Sequence, residues 1–191
     1  TVVSANYRVN DKYYLTLEEA YGSITGTEGI IVVEKNNTDN STFTVASNKK
    51  ITLNTNGKTI TKTDSGLTNS GTLNIDGNGT IKTSEAIDLI INNGTLNLNG
   101  SGAINQENPT SDQYNAIHND GSVKINGNTT ITAELIGEEL PLGPLKTYTE
   151  YALDFSKGDK LQLGNSTELD LKDPTFQKLI NELKEGESFA I

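Results

Sequence analysis

The 191 residues contain no cysteine, so no disulfide framework and no thiolate metal site can form. Methionine is absent too, even at position 1, which points to a mature or excised segment of a longer precursor. Arg8 is the only arginine, and acidic residues outnumber basic ones 25 to 15. The resulting net charge of −10 argues against nucleic acid and anionic lipid partners. No run of 18 apolar residues could span a membrane, and no signal peptide remains. Neither a D-x-[DN]-x-[DN]-G loop nor a G-G-x-G-x-D nonapeptide occurs, so the acidic surplus reads as solvated surface, not as calcium or other metal sites. Hydrophobic residues make up only 33% of the chain, low for a globule but suited to a coil whose outward positions are all polar.

What the chain does contain is a short phrase written four times. It reads Lys49-Lys50-Ile51-Thr52-Leu53-Asn54, Gly71-Thr72-Leu73-Asn74-Ile75-Asp76, Gly94-Thr95-Leu96-Asn97-Leu98-Asn99 and Gly121-Ser122-Val123-Lys124-Ile125-Asn126. A turn follows each phrase at Gly57, Gly77, Gly100 or Gly127, where Asn-Gly or Asp-Gly supplies positive φ at little steric cost. A lone Ile60, Ile81, Ile104 or Ile131 then resumes the chain. Ile51, Leu73, Leu96 and Val123 are 22, 23 and 27 residues apart, a period that signals a solenoid. The apolar positions alternate with Thr, Asn or Lys, as in half-buried strands. Hairpins at the Asn-Gly steps are conceivable. They would not return the same column of residues in the same order, whereas a parallel coil does.

A third column precedes each phrase. Four residues before the phrase start are Val45, Leu67, Ile90 and Ile117, and two before it are Ser47, Asn69, Asn92 and Asn119. With coils about 4.8 Å apart, Asn69, Asn92 and Asn119 form a structural ladder whose amides pair with one another and with buried turn backbone. Each coil brings roughly four or five inward apolar side chains at about 1.5–3 kcal/mol each, which cannot offset its own ordering entropy. Stacking stabilises the whole. The expected fold is all-β: a right-handed, single-stranded parallel β-helix of about five coils, forming one domain over 1–191, with short capping helices near both termini.

The cap regions carry their own signals. Residues 1–14 read as an extended leader turning at Asn10-Asp11. Thr16-Leu17-Glu18-Glu19 is a capping box, and Leu17, Ala20, Tyr21 and Ile24 lie on one face of a helix near 17–24. Covering the open end of the stack explains this helix better than a docking role does. Residues 30–171 hold the coils, beginning with Gly29-Ile30-Ile31-Val32-Val33-Glu34. The N-x-[ST] matches at Asn36 and Asn40 are loop composition, not glycosylation. A last coil is expected at Leu153, Phe155, Leu161-Gln162-Leu163 and Leu169-Asp170-Leu171, with Leu161 lying 38 residues after Val123. Asp173-Pro174 opens a C-terminal helix with the stripe Phe176, Leu179, Ile180 and Leu183, stopped at Gly186. Residues 188–191 add a final edge strand or run on into further sequence.

Thr16 to Ala20 before a β run, Ile51 to Ile60, and the Gly-Thr-Leu-Asn-Ile/Leu-Asp/Asn-Gly phrases together carry a resemblance over roughly residues 16–171. The pattern resembles the right-handed parallel β-helix of pectate-lyase-like proteins. More narrowly, it resembles the Asn/Thr-rich, adhesin-like coils of secreted or wall-attached proteins of Gram-positive bacteria. The resemblance implies an extracellular location and admits polysaccharide lyases and hydrolases, which use calcium-binding Asp clusters with a basic residue, or clustered Asp with His, Arg and Lys. This sequence departs from those patterns: no arginine lies in the coils, and His118 has no second histidine. Asp76, Asn99 and Asn126 share one column with a single carboxylate. Glu85 with Asp88 and Asp112 with Asp120 are the nearest carboxylate pairs, and neither recurs. A lone His118 beside Ile117 is expected to point outward or into a turn, as a structural or solvated residue and not a ligand or base. The Thr59, Thr80 and Thr130 column, with Thr61 and Thr132, could suggest an ice-binding face, but Ala103, Lys82 and Asn105 interrupt it. Catalytic residues, metals and cofactors are therefore expected to be none.

Two insertions remain, at residues 106–115 and 134–151. Both fall at the same point of the coil, so they should protrude on one side, where loops on a rigid scaffold carry binding residues. Tyr114, Tyr148 and Tyr151 with Asp112 and Glu107 combine ring faces and carboxylates as sugar-binding sites do. The plainer alternative is that the tyrosines pack these loops onto the coil. The expected partner is a glycan or a host or matrix surface protein, and the expected function is a non-catalytic extracellular module, adhesive or structural.

Overall fold

The computed structural model describes residues 5–108 and 114–133, together with the strand segments 153–154, 160–163 and 168–170. The phrases do stack. The first turn consists of β1 (Tyr7–Val9) and β2 (Lys12–Tyr14), helix α1 (Leu17–Gly22), then β3 (Glu28–Val33), β4 (Asn37–Asp39) and β5 (Phe43–Val45). The second is β6 (Lys50–Asn54), β7 (Thr59–Lys62) and β8 (Leu67–Asn69). β9 (Thr72–Asp76), β10 (Thr80–Thr83) and β11 (Ile90–Asn92) make the third, and β12 (Thr95–Leu98), β13 (Ala103–Gln106) and β14 (Ile117–Asn119) the fourth. β15 (Ser122–Ile125), β16 (Thr130–Ala133) and β17 (Leu153–Asp154) extend the stack, followed by β18 (Lys160–Leu163) and β19 (Glu168–Asp170).

Three sheets run the length of the solenoid. Sheet A takes β3, β6, β9, β12, β15 and β18 in order, sheet B takes β4, β7, β10, β13 and β16, and sheet C takes β5, β8, β11, β14 and β17. Every pairing between successive turns is parallel and in register: Ile51 opposite Leu73, Leu73 opposite Leu96, Leu96 opposite Val123, and Val123 opposite Leu161. The hairpin alternative is excluded. The architecture is a parallel β-solenoid of about four turns. The count differs slightly from the five coils expected: beyond the fourth turn β15, β16 and the two-residue β17 still stack in parallel register, and the winding stops after β18, on which β19 folds back antiparallel. The expected C-terminal helix and the edge strand at 188–191 lie outside the described residues.

The core is the stacked apolar columns themselves. Ile51, Leu53, Ile60 and Leu67 of the second turn, and Leu73, Ile81, Leu89 and Ile90 of the third, are fully buried. The first turn corrects the sequence expectation. Phe43, not Val45, lies opposite Leu67, and Val45 lies opposite Asn69. The cause is the turn at residues 46–49, closed by Lys49 N–H donating to the Ala46 carbonyl at 2.9 Å, where later turns cross from sheet C to sheet A in two residues. The turn glycines also divide. Gly57 and Gly77 adopt φ of +70° and +87°, as the Asn-Gly and Asp-Gly steps predict. Gly100 is there for closeness instead, since a Cβ on it would sit 2.0 Å from the Gly77 carbonyl oxygen.

The N-terminal end is closed twice. The leader is a hairpin, β1 with β2, turning at Asn10 with φ of 52°, and β1 pairs antiparallel with β3 to cover the edge of sheet A. Helix α1 plugs the opening. Thr16 Oγ1 accepts from Glu19 N–H, while the Glu19 carboxylate accepts from the Thr16 N–H, so the capping box forms as read. Leu17 and Ala20 are fully buried, Ile24 is buried just past the helix end, and Tyr21 meets Phe43 edge to face at 5.6 Å.

Candidate functional site at the lengthening corner

The connection from sheet B to sheet C grows with each turn: residues 40–42, 63–66, 84–89, 107–116 and then 134–152. This is the connection that lengthens at every turn, so the described parts of successive loops, 40–42, 63–66 and 84–89, belong to one corner of the coil. Both insertions read from the sequence belong to this corner.

A polar column inside the wall holds the corner. Alternation along each sheet B strand points Ile60 inward, so Lys62, two residues on, must point inward as well; Thr83 and Gln106 follow by the same rule after Ile81 and Ile104. Lys62 and Asp39 are both fully buried, with Nζ 2.9 Å from Asp39 Oδ1. Lys62 also donates to the Ser41 carbonyl at 2.6 Å. Asp39 further accepts from the Ser41 hydroxyl at 2.6 Å, from Ser41 N–H at 2.9 Å and, through Oδ2, from Leu17 N–H at 2.8 Å, which ties the cap helix to the first turn. Burial by itself would raise the Asp39 carboxyl, but the hydrogen bonds from Ser41, Lys62 and Leu17 outweigh it and hold the group below the usual range. The nearby Tyr7 phenol is pushed well up by burial and by the Asp39 charge. Thr83 Oγ1 donates to the Lys62 carbonyl at 2.8 Å. Gln106 donates to the carbonyls of Glu85 and Ile87 and accepts from Asn108 N–H at 2.8 Å, stitching the fourth loop to the third.

Over this column lie partly buried charged groups. Glu107 pairs with Lys82 at 2.9 Å on the half-buried surface. His118 on β14 presents Nδ1 to Asp88 Oδ2 at 3.0 Å, with Nε2 3.9 Å from Asp120 Oδ1. Asp88 Oδ1 accepts from Asn115 N–H at 2.7 Å, so one carboxylate fixes both the imidazole and the end of the loop. His118 does face outward on its strand, in register with Ile91 below it and Asp154 above, but it is a paired residue and not a solvated one. Glu85 is not the group that Asp88 pairs with.

Of the sequence-predicted ligand residues, Glu107 and Tyr114 are among the described ones. Glu107 and Tyr114 stand at opposite ends of the same loop, Tyr114 half-buried, and Glu107 is engaged with Lys82. Asp112, Tyr148 and Tyr151 lie outside the described residues. The Asn ladder forms as read: Asn69 Nδ2 donates to Asn92 Oδ1 at 2.7 Å, and Asn92 Nδ2 to Asn119 Oδ1 at 2.6 Å, all three fully buried. The threonine column of sheet B is also in register and is interrupted by Ala103, as read. What sequence reading missed is Lys62 with Asp39 and the Asp88–His118 pair. Strand alternation would have revealed the first, and the coil register, which sets Ile91 beside His118, the second.

Among the described residues no group of three His, Cys, Asp or Glu side chains is placed to hold a metal ion. No helix among them is long and apolar enough to cross a membrane. The class the structure defines is a parallel β-solenoid with one elaborated corner. No family model matches the chain, and no curated protein and no solved structure matches it.

Proposed function

We propose that this chain is a non-catalytic, extracellular β-solenoid module of a bacterial surface or secreted protein, adhesive in use, whose elaborated corner contacts a glycan or a host or matrix surface protein. The observation that carries the reading is the rung-by-rung growth of one corner, 40–42 through 134–152, over a rigid polar column. A purely structural spacer has no need to lengthen the same connection repeatedly. Residues Tyr114, Tyr148, Tyr151, Asp112 and Glu107 are the proposed contacts, and the adhesin-like character of the Asn/Thr-rich coils supports the extracellular setting. The test is a glycan array and matrix-protein screen with the whole chain. At least one ligand should bind, and both Tyr114→Ala and Tyr151→Ala should weaken it. No hits, or hits indifferent to both changes, leave only a spacer.

The Asp88–His118–Asp120 group favours a second reading, a polysaccharide-active enzyme of the pectate-lyase-like kind, because a carboxylate on Nδ1 is what orients an imidazole for proton transfer. Cleavage of polygalacturonate or another acidic glycan that disappears in His118→Ala would establish it over the adhesive one.

A further inference from the structure

The outward face of sheet A carries a second surface, remote from the corner. At its N-terminal end a groove of about 620 Å³ is lined by Arg8, Ile30, Val32, Lys50, Thr52 and Asn74, among others. Tyr13 lies directly opposite Arg8 across the hairpin, and Arg8 opposite Val32, so these three side chains share the outward face. Tyr13 and Ile30 are 63% and 57% exposed, and with Leu15 they are the exposed large apolar side chains among the described residues, all near this end. The face thus offers a ring and branched aliphatic carbons beside polar groups.

Its charges cancel locally. Arg8 is paired with Glu34 at 2.6 Å, and Lys50 reaches Glu28 at 3.5 Å. In a chain of net charge −10, the groove is therefore locally balanced. Leading away from it are two amide ladders on the outer surface. Asn97 donates to Asn74 at 2.8 Å and Asn74 to Thr52 at 3.1 Å; Asn126 donates to Asn99 at 2.9 Å and Asn99 to Asp76 at 2.9 Å. An amide has two N–H donors and a carbonyl with two lone pairs. The ladder bonds engage one donor of each amide, and the neighbouring side chain holds it in orientation. Donors and lone pairs are left over, and they repeat along the axis about every 4.8 Å.

We propose that this face of sheet A binds an extended neutral polysaccharide, its sugar rings lying on Tyr13, Ile30 and Val32 and its hydroxyls meeting the Thr52–Asn74–Asn97 column. An anionic polymer would have to break the Arg8–Glu34 or Lys50–Glu28 pair to gain a cation, whereas a neutral polyhydroxyl chain leaves both intact. The site shares no residue with the corner, so the two stand or fall separately.

The test is affinity electrophoresis of the whole chain in native gels cast with hydroxyethyl cellulose, galactomannan or polygalacturonate. At least one of the two neutral polymers should retard the protein, and added salt should not relieve the retardation, since screening acts on charge contacts. Ile30→Asp and Tyr13→Ser should each weaken binding about tenfold, while Tyr114→Ala leaves it unchanged. Both altered positions are exposed, and circular dichroism checks that the solenoid persists. Lack of retardation by either neutral polymer, retardation by polygalacturonate alone, or unchanged binding in both variants would overturn the proposal.

Discussion

Replacing Asn92 with alanine should damage the solenoid far more than the same change at Asn97, five residues on, on the outer surface of the next strand. Asn92 is fully buried and central in the inner ladder: it accepts from Asn69 at 2.7 Å and donates to Asn119 Oδ1 at 2.6 Å and to the Ser122 carbonyl at 3.1 Å. Truncation removes the amide donor to the Ser122 and Gly94 carbonyls and cuts the ladder in two places. Asn69 keeps its bond to the Thr95 carbonyl, and Asn119 keeps Gly121 N–H, which limits the loss. At about 1–3 kcal/mol for the buried amide groups of Asn69 and Asn119 that lose their ladder partner and about 1 kcal/mol for each further bond lost, the cost is roughly 3–4 kcal/mol. Asn97→Ala removes a bond of similar length, to Asn74 at 2.8 Å, but on a half-buried surface where water replaces it, and should cost less than about 1 kcal/mol. Urea unfolding of the two variants side by side, compared at constant m, measures the difference. Equal losses, or a loss below about 1 kcal/mol for Asn92→Ala, would refute the claim that the inner ladder satisfies otherwise buried turn backbone.

The buried pair should behave asymmetrically. Lys62→Met should cost about 3–5 kcal/mol by leaving Asp39 without its cation, and Asp39→Leu should cost more still, because Leu17 N–H and both Ser41 donors lose their acceptor as well. Chemical unfolding of both variants checks the order. Because the folded Asp39 carboxyl is held below its usual value, its contribution is present above that value and is lost as pH falls through the lower folded one. Stability of the native chain should therefore drop below about pH 5, and an Asp39→Asn variant should show a shallower drop over the same interval in a pH series of melts. Gly94→Ala places a Cβ 2.1 Å from the Gly71 carbonyl and should cost about 3 kcal/mol, whereas Gly22→Ala, with nothing within 4 Å, should be near neutral by the same melt.

The columns of the second to fourth turns were legible because each is written at the same offset from a phrase that repeats. Leu161, 38 residues after Val123, still lands opposite it, since the extra length is confined to a corner and leaves strand register alone. The Asn ladder and the capping box were legible for the same reason: both follow from fixed offsets in the chain. The first turn was misread by two positions because residues 46–49 make a longer turn, and nothing in the local composition of Val45 and Phe43 says which of them stacks on Leu67. Lys62 reads as a surface residue by its chemistry, and only the strict alternation after Ile60 places it inside. The pairing of His118 with Asp88 joins residues 30 apart across a turn, and it becomes visible only once the register is known. As for the corner, the sequence located the insertions, while the engagement of Glu107 by Lys82 depends on packing between neighbouring rungs.

The central claim is parallel stacking of the repeated phrases, and backbone NOE spectroscopy on isotope-labelled protein tests it most directly. The solenoid predicts inter-strand cross-peaks that link Leu73 to Leu96 and Leu96 to Val123 in a parallel pattern. Cross-peaks joining Leu73 to the Thr80–Thr83 strand across Gly77, as a hairpin would give, would contradict it.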